Sequence, residues 1–300
     1  MMSTKWKASI YVLLGAASYG ILSSIVKLGY AAGFSASEVT GSQVMFGAAM
    51  LWILCYTTGS FRKVTKSSIL KLLAGGSFTG MTGVFYYYSL QMLDASIAVL
   101  LLFQFTWMGL LLDWLLQGKR PGRNQGWAVL LILGGTLLAT GFSYESLAQL
   151  DTLGLILGLL SAASYTFFIY FSGRLETGLP ALQRSAWMIT GASIFVAVIY
   201  PPQFLWNGAL QEGLWLWGLL LSVFGMVLPT FLYAKGAPKL DTGLSSVLGA
   251  IELPVVILCS ALLLGESSGL LQWIGIATIL LGIAVSEMKP SESRQSRKNR

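Results

Sequence analysis

Ten stretches of about twenty mostly apolar residues follow one another along this chain, and no other feature narrows its fold so far. They run over 8–29, 38–56, 69–91, 95–116, 125–142, 152–173, 182–200, 214–234, 242–264 and 270–287. A bilayer core is about 30 Å thick, so ~20 helical residues rising 1.5 Å each will cross it. Lipid offers no water to an unpaired backbone group, so such stretches must be helical. Composition agrees. The chain is 55% hydrophobic and 10% charged, whereas a soluble domain carries about 25% charged residues. The expected fold class is an all-α integral membrane protein with ten transmembrane helices.

The charges orient those helices. With the N-terminus inside, the inner segments hold Lys5, Lys7, Arg62, Lys63, Lys66, Lys71, Lys119, Arg120, Arg123, Arg174, Arg184, Lys235, Lys239 and the tail's Lys289, Arg294, Arg297, Lys298 and Arg300. That is 18 of the 19 Lys and Arg residues. The outer loops carry Glu38, Asp94, Glu145, Asp151, Glu212 and Glu266 instead. The nineteenth cation, Lys27, lies near the outer end of the first span. The asymmetry predicts both termini on the cytoplasmic side of a cell (plasma) membrane. Basic residues spread over every inner loop also speak against a nucleic-acid partner. The partners expected are the lipid bilayer and a small molecule, and a monomer would suffice. No histidine is present, which removes His-based catalysis and His metal ligation, and no cofactor or metal is expected. Cys55 and Cys259 sit in apolar runs and imply no disulfide. The start of the chain has some character of a cleaved signal, but the apolar run continues past residue 20.

Residues 13–19 read LLGAASY and residues 159–165 read LLSAASY. Further matches recur at an offset of 147: Tyr86 with Tyr233, Leu93-Asp94 with Leu240-Asp241, Leu115-Leu116 with Leu262-Leu263, Gly118 with Gly265, Gln125 with Gln272 and Gly135 with Gly282. Five spans per copy is an odd number, so the second copy would enter the membrane the other way round. The chain is therefore expected to form two inverted five-helix repeats, 1–145 and 146–288, followed by a polar tail, 289–300. Inverted repeats are the design of secondary transporters, with substrate held near the midplane between the copies.

Residues 251–283, IELPVVILCSALLLGESSGLLQWIGIATILLGI, resemble the second half of an EamA-like domain of the drug/metabolite transporter superfamily. The features that carry the likeness are Glu252 with Pro254, Leu262 to Glu266, and Gly275 with Gly282. Two copies of five helices would cover nearly the whole chain. The first copy departs from the pattern, with Phe105, Trp107 and Lys119 where the second has Glu252, Pro254 and Glu266. In the second copy Leu253 separates Glu252 from Pro254, where the family often has the two adjacent. The resemblance implies a transporter of small organic metabolites, often an exporter of amino acids. It also implies a central cavity lined chiefly by helices one, three, four, six, eight and nine.

Few residues inside the spans could carry chemistry. Glu252 lies near the midplane of span nine, where a charge costs about 2.5–3.5 kcal/mol. It could carry protons or meet a substrate ammonium, and a protonated carboxyl bonded within the bundle is the other reading. Lys27 could hold a substrate carboxylate or snorkel to the interface. Asp113, at the inner end of span four, is expected to pair with Lys119 or Arg120. Trp107 lies mid-span with Gln104 one turn before it, and could stack on substrate or simply pack. Tyr19 and Tyr165, the repeat pair, could line a cavity or pack helices through their small neighbours. Tyr86, Tyr87 and Tyr88 fit either a cavity or an interfacial belt. Pro229 and Pro254 are candidate hinges. Gly76 with Gly80, and Gly154 with Gly158, suit close helix packing.

No phosphate-binding GxxxxGK[ST] sequence appears, so ATP drive is not expected. The function expected is secondary transport of small metabolites, such as neutral or aromatic amino acids, in the export direction. Export of drug-like hydrophobic cations is the alternative, and a channel a more distant one. An intramembrane enzyme is disfavoured.

Overall fold

The computed structural model describes residues 4–141, 151–265 and 269–288. Glu145, Glu266, the tail cations and the expected repeat boundary at 145/146 lie outside them. Every regular element among the described residues is helical. The first half comprises α1 (Thr4–Ala31), α2 (Ala36–Thr57), α3 (Lys66–Met92), α4 (Ala95–Leu102), α5 (Phe105–Gln117) and α6 (Arg123–Ala139). The second comprises α7 (Thr152–Arg174), α8 (Ala181–Ile199), α9 (Trp215–Ser222), α10 (Leu228–Gly236), α11 (Thr242–Gly249), α12 (Glu252–Leu264) and α13 (Leu270–Glu287).

Eight helical segments are long and apolar enough to cross a membrane, counting α4–α5, α9–α10 with their flanking turns, and α11–α12 as one each. Two expected spans fall short. α6 has 17 residues. α3 has 27, but Gly, Ser, Thr and Tyr dilute its apolar content. Both depart from the expectation for a physical reason, and for α3 the reason is the cavity it lines.

The two halves are built alike. α11 begins and ends 147 residues after α4, and α12 begins and ends 147 residues after α5. Both broken rods end on a left-handed glycine, Gly118 at φ 66° and Gly265 at φ 67°. Both then resume on a Gln whose side chain accepts from the backbone N–H three residues before it, Gln125 from Gly122 and Gln272 from Gly269, at 3.0 Å each. The packing follows the same exchange. α3 packs on α7 and α8, while α10 packs on α1 and α9 on α2. α1 packs on α11 and α12, as α7 does on α4 and α5. α2–α8 and α6–α13 join the halves directly.

The glycine pairs make the close crossings that their spacing suggested. At Gly76 an added Cβ would lie 1.8 Å from the Met188 carbonyl oxygen of α8, and at Gly191 one would lie 2.0 Å from that of Leu73. Gly154 and Gly158 let α7 approach Met92, Leu93 and Leu101. Gly76→Val should therefore cost about 1–3 kcal/mol or more by overpacking. Gly134→Ala, with nothing within 4 Å, should be neutral or gain up to about 1 kcal/mol. Melting of the purified protein in detergent reads both.

Candidate functional site

A cavity of about 310 Å³ opens between α1, α2 and α3. Its exposed lining residues, Lys27 and Tyr30, lie at the C-terminal end of α1 and mark the mouth. Tyr19 lies eight residues deeper, about 12 Å along the helix. The walls carry Thr40 and Gln43 from α2, and Thr79, Thr82, Tyr86 and Tyr87 from α3. Tyr165, Val196, Met226 and Glu252 reach in from the second half. Two small residues, Gly80 and Gly83, leave room on the α3 side.

Tyr19 and Tyr165, the paired tyrosines of the repeated heptad, meet edge to face with ring centres 6.0 Å apart. Below them lies an aromatic layer. Phe105 packs against Tyr165 at 4.7 Å, Phe168 stacks on it at 6.0 Å, and Tyr233 meets Phe168 at 5.6 Å. Phe105, Phe168 and Tyr233 are fully buried. The Tyr165 and Tyr233 hydroxyls are 3.5 Å apart, and Tyr165 shares the cavity wall with Glu252. Glu252 is the first residue of α12. It sits beside α1 because Gly20 lets the two backbones touch: a Cβ there would be 2.7 Å from the Glu252 carbonyl oxygen. Its carboxyl is thus held at the partly positive N-terminus of a half-helix, at the deep end of the cavity.

The break before α12 has a chemical cause. Pro254 lacks the N–H that would bond the Ala250 carbonyl, and the helix is interrupted at 250–251. The matched break at 103–104 has no proline. There the Thr106 hydroxyl donates to the Phe103 carbonyl at 2.9 Å, and Gln104 Nε2 donates to that of Leu100 at 2.9 Å. Pro229 follows, after Leu228, a π-helical turn, Val223–Val227, whose Gly225 faces Gln43 and Leu22. Both prolines therefore sit beside irregular turns.

Of the expected site residues, Tyr19, Tyr86, Tyr165, Glu252 and Lys27 share the cavity. Gln104 and Trp107 do not line it. Trp107 is exposed on the outside of α5, donating its indole N–H to Gln104 Oε1 at 2.8 Å. The helix turns both away from the centre. Asp113 pairs with neither expected partner. Its carboxylate accepts from Arg174 Nη2 at 3.2 Å, Gln117 Nε2 at 2.5 Å and the Gly243 N–H at 2.6 Å. Lys119 instead pairs with Asp241. Tyr87 lines the cavity beside Tyr86, whereas Tyr88 stacks on Tyr200. Tyr30, Gln43 and Thr79 were not anticipated. A Gln or Thr inside an apolar span is the signal that could have found the last two. Helix two is thus a wall of the cavity, beyond the set the resemblance implied. Among the described residues no cluster of His, Cys, Asp and Glu could hold a metal.

The model of the EamA-like transporter family matches residues 6–141 and 152–288. The chain belongs to that family. It is similar to YwfM of Bacillus subtilis, named an uncharacterized transporter, at 27% identity over 188 residues. That match covers 61% of this chain and 61% of YwfM. The uncharacterized transporter YcbK, from the same organism, is 22% identical over 94% of this chain and 93% of its own. A solved crystal structure, 18% identical, superposes with a TM-score of 0.74 over 93% of this chain and 97% of that one, and so shares the fold. The membrane-length segments are those of a multi-pass membrane protein, and the family that matches is one of transporters.

The aromatic layer closes the deep end of the cavity, and Trp107 plays no part in it. Phe168→Ala should lower stability by about 3–5 kcal/mol. Trp107→Leu should change it by less than ~1 kcal/mol, as exposed substitutions do. Thermal unfolding of the two variants in one detergent separates them.

Proposed function

We propose that this protein is a secondary transporter that moves small organic metabolites, such as neutral or aromatic amino acids, outward by alternating access. The observation that carries the reading is the cavity itself: about 310 Å³, walled by tyrosines, ending at one carboxyl and backed by the buried rings of Phe105, Phe168 and Tyr233. That volume suits a small ligand. Tyrosine rings suit an aromatic or aliphatic side chain, and Glu252 suits an ammonium group or a transported proton. The closed end supports a carrier over a channel.

In this reading the ten helical rods all cross the membrane as two inverted repeats, 1–145 and 146–288. Both termini lie in the cytoplasm of a cell whose plasma membrane holds the protein. The distribution of Lys and Arg then places the cavity mouth outside. Glu252 is the coupling residue, Lys27 the charge at the mouth that meets a substrate carboxylate, and Pro229 and Pro254 the hinges. A second reading, export of a hydrophobic drug-like cation, draws on Glu252 as counter-charge in an aromatic box.

In liposomes, counterflow of labelled neutral amino acids should saturate for the native chain. Glu252→Gln should abolish it or uncouple it from a proton gradient, while Trp107→Leu keeps it within about twofold, there being no contact to lose. Counterflow of hydrophobic cations and not of amino acids would replace the first reading with the second. Flux that never saturates would refute the carrier.

A further inference from the structure

The counterpart of the cavity's interior is shut, and a polar pocket lined by Lys119, Arg174 and Asp241 opens at its far end. Exchanging the halves carries α1, α2 and the cavity-lining end of α3 onto α7, α8 and α10. α3 stands clear of α1 and α2, which makes the cavity, whereas α10 packs on both α7 and α8. The seams show the same asymmetry. α5 packs along α11, but their counterparts α12 and α4 make no comparable contact.

Arg184 of α8 occupies the shut space. It is 2% exposed and is the largest fully buried side chain in the described structure. Its Nη1 donates to the Ala234 carbonyl of α10 at 3.0 Å, and its Nη2 to the Ser172 carbonyl of α7. Both lie in the last turns of their helices, where the dipole is negative. Among the described residues no carboxylate pairs with it, and Glu176 is felt only through space. Nε has no partner, nor do the hydroxyls of Ser172 and Ser185 or the indole N–H of Trp187. Unsatisfied buried polar atoms are rare, and here one is the guanidinium's own Nε and another belongs to Ser172, whose carbonyl it holds.

The positions matter as much as the chemistry. Ala234 lies 147 residues after Tyr87, Tyr233 the same distance after Tyr86, and Ser172 lies 146 after Val26, the offset of the heptad. Tyr87, Tyr86 and Val26 all line the open cavity. The atoms Arg184 holds are therefore the counterparts of cavity wall.

We propose that Arg184 is a carboxylate-binding residue of a second, alternately opened cavity on the opposite face, locked in this state by the carbonyls of α7 and α10. When α10 swings away, as α3 stands away here, the guanidinium faces solvent with a free fork of donors. A substrate carboxylate makes two charge-assisted bonds there, stronger than the two neutral carbonyls it displaces. Arrival of the substrate thus favours the state that admits it. The inference rests on the alternating-access reading and assigns the transported metabolite a carboxylate.

The test is counterflow of phenylalanine and of phenethylamine, which lacks only the carboxylate, for the native chain, Arg184→Gln and Arg184→Lys. Lys keeps the charge and much of the bulk and so serves if Gln does not fold, and elution with melting checks each variant. The expected result is a rise in the phenylalanine KM of roughly tenfold, the value of one good charged contact, with phenethylamine little changed. Equal losses for both probes in a folded variant would overturn the assignment and leave a structural arginine. A native chain that moves phenethylamine alone would also overturn it, while leaving the transporter reading in place. A native chain that moves neither would refute both.

Discussion

Everything in this molecule answers to one constraint: within lipid, each backbone N–H and carbonyl must find its partner inside the protein. Continuous helices meet it at no cost, so the irregular points are informative. Three of them, at 103–104, at 250–251 and in the π-helical turn Val223–Val227, border the cavity. At the first, Thr106 and Gln104 side chains take up the freed carbonyls. At the second, the new helix end supports Glu252. At the third, Pro229 follows two residues on, and Gly225 makes room for the Gln43 side chain. Helices α6 and α13, which contribute no residue to the cavity, run unbroken.

Two similarly built halves, one holding an open cavity and one closely packed, differ for a physical reason. The same helices pack by the same rules in both halves, yet α3 stands clear where α10 does not. The difference lies in side chains. Arg184 ties α8 to α7 and α10. Asp113 joins α5 to Arg174 of α7 and to the first turn of α11, and Arg174 Nη1 donates to the Thr242 hydroxyl there at 2.8 Å. The position 147 residues after Asp113 is Ser260, which carries no such charge. Charged ties concentrate at the end away from the mouth.

Much of the fold was legible in the sequence, because hydrophobic length and charge placement act over whole segments. The repeated LLxAASY placed Tyr19 and Tyr165 in matching helices, and their rings do meet. The site was legible only in part, for reasons of geometry. Trp107 has the depth of a cavity residue, but depth does not say which face of α5 it occupies. Arg184 reads as one more inner-loop cation until α7 and α10 close over it. The partner of Asp113 is 61 residues away, and the nearer cations Lys119 and Arg120 are the natural guess from sequence. The break at 103–104 carries no proline to announce it.

The claim on which the rest depends is the inverted duplication, and one pair of residues tests it. Asp94 and Asp241 are matched N-caps, of α4 and α11, 147 residues apart. Each should be replaced by a single cysteine in a chain lacking Cys55 and Cys259, then labelled in sealed membranes with a reagent that cannot cross them. The account predicts labelling of Asp94→Cys from the outside only and of Asp241→Cys from the inside only. Labelling of both from the same side would contradict it.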